Sequence, residues 1–83
     1  MDYGALGAKE AEEWKVKMLA FNLVVGYARI DLRDRNLKKA SRDQEFLISM
    51  VDELKRVFNI SHGDAERALV MAFEKEVEER KKE

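Results

Sequence analysis

The chain has 83 residues, of which 40% are charged, and its 16 basic and 17 acidic residues leave a formal net charge of −1. This near balance argues against a dedicated polyanion binder and favours helix faces covered with ion pairs. The sequence has no cysteine, which excludes disulfides and thiolate metal sites and fits a reducing, cytoplasmic location. It also has no proline, as is natural for a helical chain.

The first seven residues include Gly4 and Gly7, and we expect residues 1–7 to form a flexible lead-in to a single helical domain over residues 8–83. A first helix is predicted over about 8–35. Its centre, Met18–Ile30, is apolar except at Asn22, Gly26 and Arg29. This run is too short and too interrupted to span a bilayer, so we expect a buried helix that is covered on most sides.

Two apolar lines run along this first helix. The first repeats at alternating steps of four and three residues, which is the spacing of a coiled-coil seam, and consists of Trp14, Met18, Phe21, Val25, Ala28 and Leu32. The second consists of Val16, Leu19, Leu23, Tyr27 and Ile30. Two lines require two sets of neighbours, because each must be removed from water.

Two shorter helices can cover only part of such a surface, and the seam from Trp14 to Leu32 has no obvious partner within the chain. We therefore expect the protein to form a homodimer through the first helix. The alternative is that the chain wraps this helix completely. The predicted interface residues, among which the aromatic side chains are the expected anchors, are Trp14, Met18, Phe21, Val25, Tyr27 and Leu32.

The end of the first helix is predicted near Arg35, with Asn36 in a left-handed conformation and Leu37 packing on Leu32. Residues 37–40 then form a connector. Ser41 and Gln44 match a capping box, so Ser41 is the predicted N-cap of a second helix over about 42–58. Its apolar face comprises Phe46, Leu47, Met50, Val51, Leu54, Val57 and Phe58.

After Asn59, Ser61 is the predicted N-cap of a third helix over about 62–80. The residues expected to face inward are Ala65, Ala68, Leu69, Ala72, Phe73 and Val77. Short connections make consecutive helices neighbours. The predicted fold is therefore an all-α, three-helix bundle with a long first helix, assembled as a helical dimer.

Polar residues follow one line of the first helix, at Asn22, Gly26, Arg29 and Arg33. This line is either the solvent side of the helix or a stripe that sets register with a partner. A basic cluster follows at the helix end and in the connector. Together with one later arginine it supplies the candidate nucleic-acid contacts, which are Arg33, Arg35, Lys38, Lys39, Arg42 and Arg67.

The segment Val51–Val70 has the apolar spacing of a helix-turn-helix, with Asn59 at the turn. The would-be recognition helix carries Asp64 and Glu66 on its outer side, which suits a phosphate-lined groove poorly. Any tightly packed helical pair with a short turn produces this spacing. A small dimeric nucleic-acid-binding regulator is therefore the alternative functional hypothesis.

The sequence offers little from which to build an active site. His62 is the one histidine, and the acidic clusters around Glu12 and Glu76 match no cation-binding loop. We expect no enzymatic activity, cofactor, metal, small-molecule substrate or membrane partner. The leading hypothesis is a small, non-enzymatic protein-interaction module that self-associates through the first helix and binds another protein.

Overall fold

The structure, a computed structural model, describes the backbone of residues 7–82 and the side chains of residues 19–82. Within that range the chain is a compact all-α domain without strands, built from four helices: α1 (Gly7–Leu32), α2 (Leu37–Arg42), α3 (Gln44–Phe58) and α4 (His62–Lys81). The all-α class and the three long helices are confirmed. Of the expected lead-in over residues 1–7, Gly7 instead begins α1, and residues 1–6 lie outside the described residues.

The prediction that the first helix continues to Arg35 is wrong, because α1 ends at Leu32 and a further short helix follows. Asn36 does not adopt the left-handed conformation (φ −74°, ψ 114°), and its side chain instead accepts a hydrogen bond from the backbone N–H of Lys39 at 3.1 Å. Asparagine suits a helix N-cap as well as a helix end. Asn36 therefore starts α2, and the predicted connector over 37–40 is helical.

The predicted N-cap of the next helix is also displaced, by two residues. Ser41 lies inside α2, where its hydroxyl donates to the carbonyl of Lys38 at 2.9 Å. Asp43 caps α3 instead, because its carboxylate accepts from the N–H of Phe46 at 3.1 Å. Because Asn36 starts α2, Ser41 lies within that helix. Asp43 is the next residue suited to an N-cap and therefore caps α3.

The turn between α3 and α4 is formed as predicted. Asn59 is the one non-glycine residue with a positive φ in the described part of the chain (φ 53°, ψ 50°). Ser61 caps α4 by accepting from the N–H of Asp64 at 3.2 Å. Asparagine tolerates the left-handed region and serine is a strong N-cap, so two local preferences agree at this corner.

The core lies mainly between α1 and α4, with α3 completing it and α2 packing on α3. The principal-axis extents are 47 × 32 × 17 Å. The shortest extent fits two layers of helices, because packed helix axes lie about 8–10 Å apart. One side of α1 therefore has no cover from the described part of the chain. The buried side chains are Val24, Val25, Ala28, Leu32, Ala40, Met50, Val51, Leu54, Ala65, Ala68, Leu69 and Ala72.

Candidate protein-interaction surface

The prediction that the seam from Trp14 to Leu32 has no partner within the chain is wrong over its described length. Val25, Ala28 and Leu32 are at most 2% exposed and belong to the core. Three of the buried residues that α4 contributes are alanines. Small side chains on facing helices let the axes approach closely, so this side of α1 seats well on α4. The side chains of Trp14 and Met18 lie outside the described residues.

The opposite side of α1 is apolar and exposed. Leu19, Leu23 and Ile30 retain 65%, 68% and 65% of their accessible surface, and they come from the second apolar line, which was expected to be covered by the other helices. With Gly26 between them they step by four, three and four residues, so they follow one line along the helix. We call Leu19, Leu23, Gly26 and Ile30 the outer stripe.

Gly26 makes a gap in the outer stripe. A Cβ atom built on it meets nothing within 4 Å among the described residues outside the backbone of its own helix. A glycine in the middle of a helix destabilises it by about 0.5–1 kcal/mol relative to alanine. No close neighbour within the described chain explains why a side chain is missing here.

Two of the predicted aromatic anchors lie at the edges of the core. Phe21 and Tyr27 are both half-buried, and the Tyr27 ring meets Phe58 edge-to-face with centroids 5.3 Å apart. Partial burial and then the nearby Glu53 carboxylate raise the pKa of Tyr27 above its usual value of 10.0, so its phenol is neutral near pH 7. Both rings are therefore engaged within the chain, and a contact with a partner stays a prediction for them.

The polar line of α1 contributes one contact that the sequence did not reveal. Arg29 donates from Nε to Oε2 of Glu76 on α4 at 2.8 Å, and Glu76 is only 5% exposed. The acidic cluster around Glu76 favours a solvated helix face, and for Glu76 that prediction is wrong. Glu76 falls four residues after the buried Ala72, so its helical position places it in the core. Asn22 and Arg33 are exposed, as the solvent reading of this line predicted.

Arg80 lies one turn beyond Glu76 and ties α4 to the end of α1. Its Nη2 donates to the backbone carbonyls of Leu32 at 3.1 Å and Arg33 at 3.0 Å. The last carbonyls of a helix have no partner within the helix, so Arg80 supplies them with a donor, and the Leu32 carbonyl also accepts from the backbone N–H of Arg35 at 3.0 Å. Glu76 and Arg80 therefore contact α1 at two points one helical turn apart on α4. Together these contacts hold the register of α1 on α4, with the outer stripe facing away from the core.

We expect the Arg29–Glu76 pair to show strong coupling in a double-mutant cycle. Glu76→Leu alone should destabilise the fold by about 2 kcal/mol, because it leaves the partly buried guanidinium without its partner. Adding Arg29→Met should restore most of that loss. Urea unfolding of the two single variants and the double variant measures the coupling, with Glu79→Leu at an exposed position of α4 as the control. Strictly additive effects would contradict the role given to this pair.

The candidate nucleic-acid contacts do not form one free basic surface. The Arg35 guanidinium lies 4.3 Å from the centroid of the Phe46 ring, in a cation–π contact. Lys38 lines a shallow depression together with Glu74 and Glu78, so its charge is offset locally. All six side chains are exposed, including the four outside these two contacts, which are Arg33, Lys39, Arg42 and Arg67.

The helix-turn-helix-like spacing predicts five buried apolar positions. Leu54, Ala65 and Ala68 are fully buried, whereas Phe58 and Ile60 are half-buried. The outer side of this segment is occupied by polar side-chain contacts within α4. The His62 ring is 2.8 Å from the Glu66 carboxylate, and Arg67 is 3.9 Å from Asp64. These acidic groups would oppose a nucleic-acid backbone, so the nucleic-acid hypothesis stays an untested prediction without a geometric observation in its favour.

Comparisons of the chain with protein-family models, with curated proteins and with solved structures find no match. The described helices include none that is long and apolar enough to cross a bilayer. Among the residues that the structure describes, no three or more histidine, aspartate or glutamate side chains are grouped so that they could hold a metal ion.

Proposed function

We propose that this chain is a small, non-enzymatic, helical protein-interaction module that self-associates through α1. The observation that carries the proposal is the outer stripe, in which three large aliphatic side chains are each about two-thirds exposed on the side of α1 opposite the core. Single exposed aliphatic residues are ordinary on protein surfaces. An aligned row of them along one long helix is typical of an interface.

The proposal keeps α1 as the association element but moves the interface to the other side of the helix. Val25 and Leu32 are taken up by the chain's own core, whereas Leu19, Leu23 and Ile30 are free to meet another molecule. Transferring a side chain of this size fully from water is worth about 1.5–3 kcal/mol. Each of the three can therefore contribute about 1–2 kcal/mol to an interface.

The non-enzymatic part of the proposal is supported by where the titratable groups lie. His62 is exposed in the first turn of α4 and pairs with Glu66 one turn later, which is typical of a helix surface. The buried carboxylate, Glu76, is engaged by Arg29. Two depressions in the described surface, one beside Leu37 and Phe73 and one beside Leu47 and Leu69, are shallow and are lined mainly by aliphatic and charged side chains, unlike most catalytic pockets.

Sedimentation velocity of the unmodified protein over a concentration series tests this function. We expect the weight-average sedimentation coefficient to rise from the monomer value to the dimer value within the micromolar to submillimolar range. A protein that stays monomeric throughout that range would contradict self-association. In that case the outer stripe would bind a different protein, and a measurement of dimer formation would not detect that binding.

A further inference from the structure

Building on the proposed function, we infer that the occupant of the outer stripe is the outer stripe of a second copy, running antiparallel. In this arrangement Leu23 of each copy packs over Gly26 of the other, and Leu19 packs against Ile30. Self-association through α1 could in principle be parallel or antiparallel. The order of large and small residues along the stripe decides between them.

The outer stripe is self-complementary about the midpoint between Leu23 and Gly26. An antiparallel pairing about this point sets Leu23 opposite the glycine of the second copy, and the pairing repeats by symmetry. Large side chains opposite small ones interdigitate and fill space. A parallel pairing would set glycine opposite glycine and leave a cavity in the middle of the interface.

This arrangement explains the open space above Gly26. Outside the local backbone of its own helix, the described chain places no atom within 4 Å of a Cβ at this position, so the packing of the described chain does not require glycine. A leucine side chain arriving from outside would need that space. The flanking Leu19, Leu23 and Ile30, each about two-thirds exposed, supply the apolar area around it.

Charge at the end of the stripe favours the same orientation. Arg33 continues the spacing of the stripe by three residues and is exposed. A parallel pairing would bring Arg33 beside its own copy, which like charges oppose.

Disulfide trapping tests the orientation cleanly, because the natural chain contains no cysteine. The antiparallel arrangement places Leu19 beside Ile30 of the second copy and separates the two Leu19 positions by about 17 Å along the helix. We expect Leu19→Cys to form no disulfide dimer alone. An oxidised mixture of Leu19→Cys with ¹⁵N-labelled Ile30→Cys should yield a mixed-isotope dimer, which mass spectrometry identifies.

The other outcomes of trapping are equally distinct. A disulfide dimer from Leu19→Cys alone would show a parallel pairing and overturn the inference. Variants that sediment as dimers but give no disulfide would place the contact on another face, which also overturns it. If the unmodified protein does not dimerise, the proposed function itself is contradicted. The sedimentation series of the unmodified protein detects this outcome independently of the trapping experiment.

Gly26→Ala provides a second test, because it should stabilise the monomer and weaken the dimer. The methyl group has room within the monomer and improves helix propensity, so the melting temperature at low concentration should rise by about 3–8 °C. The same methyl group would meet Leu23 of the second copy at two symmetric places, so the dimer dissociation constant should rise about tenfold or more. A dimer unchanged or tightened by Gly26→Ala would contradict the antiparallel pairing.

Discussion

Leu23→Asp should abolish dimer formation while leaving the fold of the monomer intact. Leu23 is 68% exposed and makes no part of the core, so the substitution should change the stability of the monomer by less than about 1 kcal/mol. In a symmetric dimer the change acts twice, and each aspartate would have to lose its water shell. We expect the dissociation constant to rise at least about 100-fold.

The measurement is sedimentation velocity at a concentration where the unmodified protein is dimeric, with circular dichroism to confirm helicity. Ile48→Asp is the matched control, since Ile48 is 62% exposed but belongs to α3 and not to the outer stripe. Leu19→Lys should repeat the result if Leu23→Asp lowers helicity. A Leu23→Asp protein that dimerises as well as the Ile48→Asp protein would rule out the outer stripe as the interface.

Leu32→Ala should have the largest effect on folding among alanine substitutions at the described side chains of α1. Leu32 is fully buried where α1 meets its own chain, and removing a buried leucine side chain costs about 2–5 kcal/mol. For a domain of this size, a loss of about 3 kcal/mol lowers the melting temperature by roughly 10–25 °C. If Leu32→Ala fails to fold, the milder Val25→Ala should show the same direction.

The control for Leu32→Ala is Leu23→Ala, the same chemical change on the other side of the same helix. Both proteins should be melted at concentrations well below the dimer dissociation constant, because dimer formation adds to apparent stability. There we expect Leu23→Ala to stay within about 0.5 kcal/mol of the unmodified protein. Equal losses for the two variants would contradict the assignment of inner and outer sides to α1.

Much of the fold follows from local sequence preferences. The helical class and the bounds of α3 and α4 were predicted to within two residues at each end, because Asn59 and Ser61 have little competition for their roles. The region around α2 was not predicted correctly. Asn36 suits both a helix end and a helix start, and Ser41 and Asp43 both suit an N-cap, so local preference does not decide between the alternatives.

The side of α1 that faces the core could not be predicted from heptad spacing, since both apolar lines have helical periodicity. A usable signal was the small residue in the first line, Ala28, which matches the alanines on the inner face of α4. Glu76 was misassigned for a related reason. Its position on the inner face of α4 indicates burial, but its charge suggests solvent until the partner Arg29 on a distant helix is known.

The most direct test of the central claim is the concentration dependence of the methyl NMR signals of selectively labelled protein. The methyl signals of Leu19, Leu23 and Ile30 should shift together as the protein is concentrated, because self-association covers the outer stripe. The methyl signals of the buried Leu32 and Leu54 should not shift. Shifts confined to Ile48, Val57, Val70 or Val77, which are exposed on α3 and α4, or no shift at all, would contradict the account.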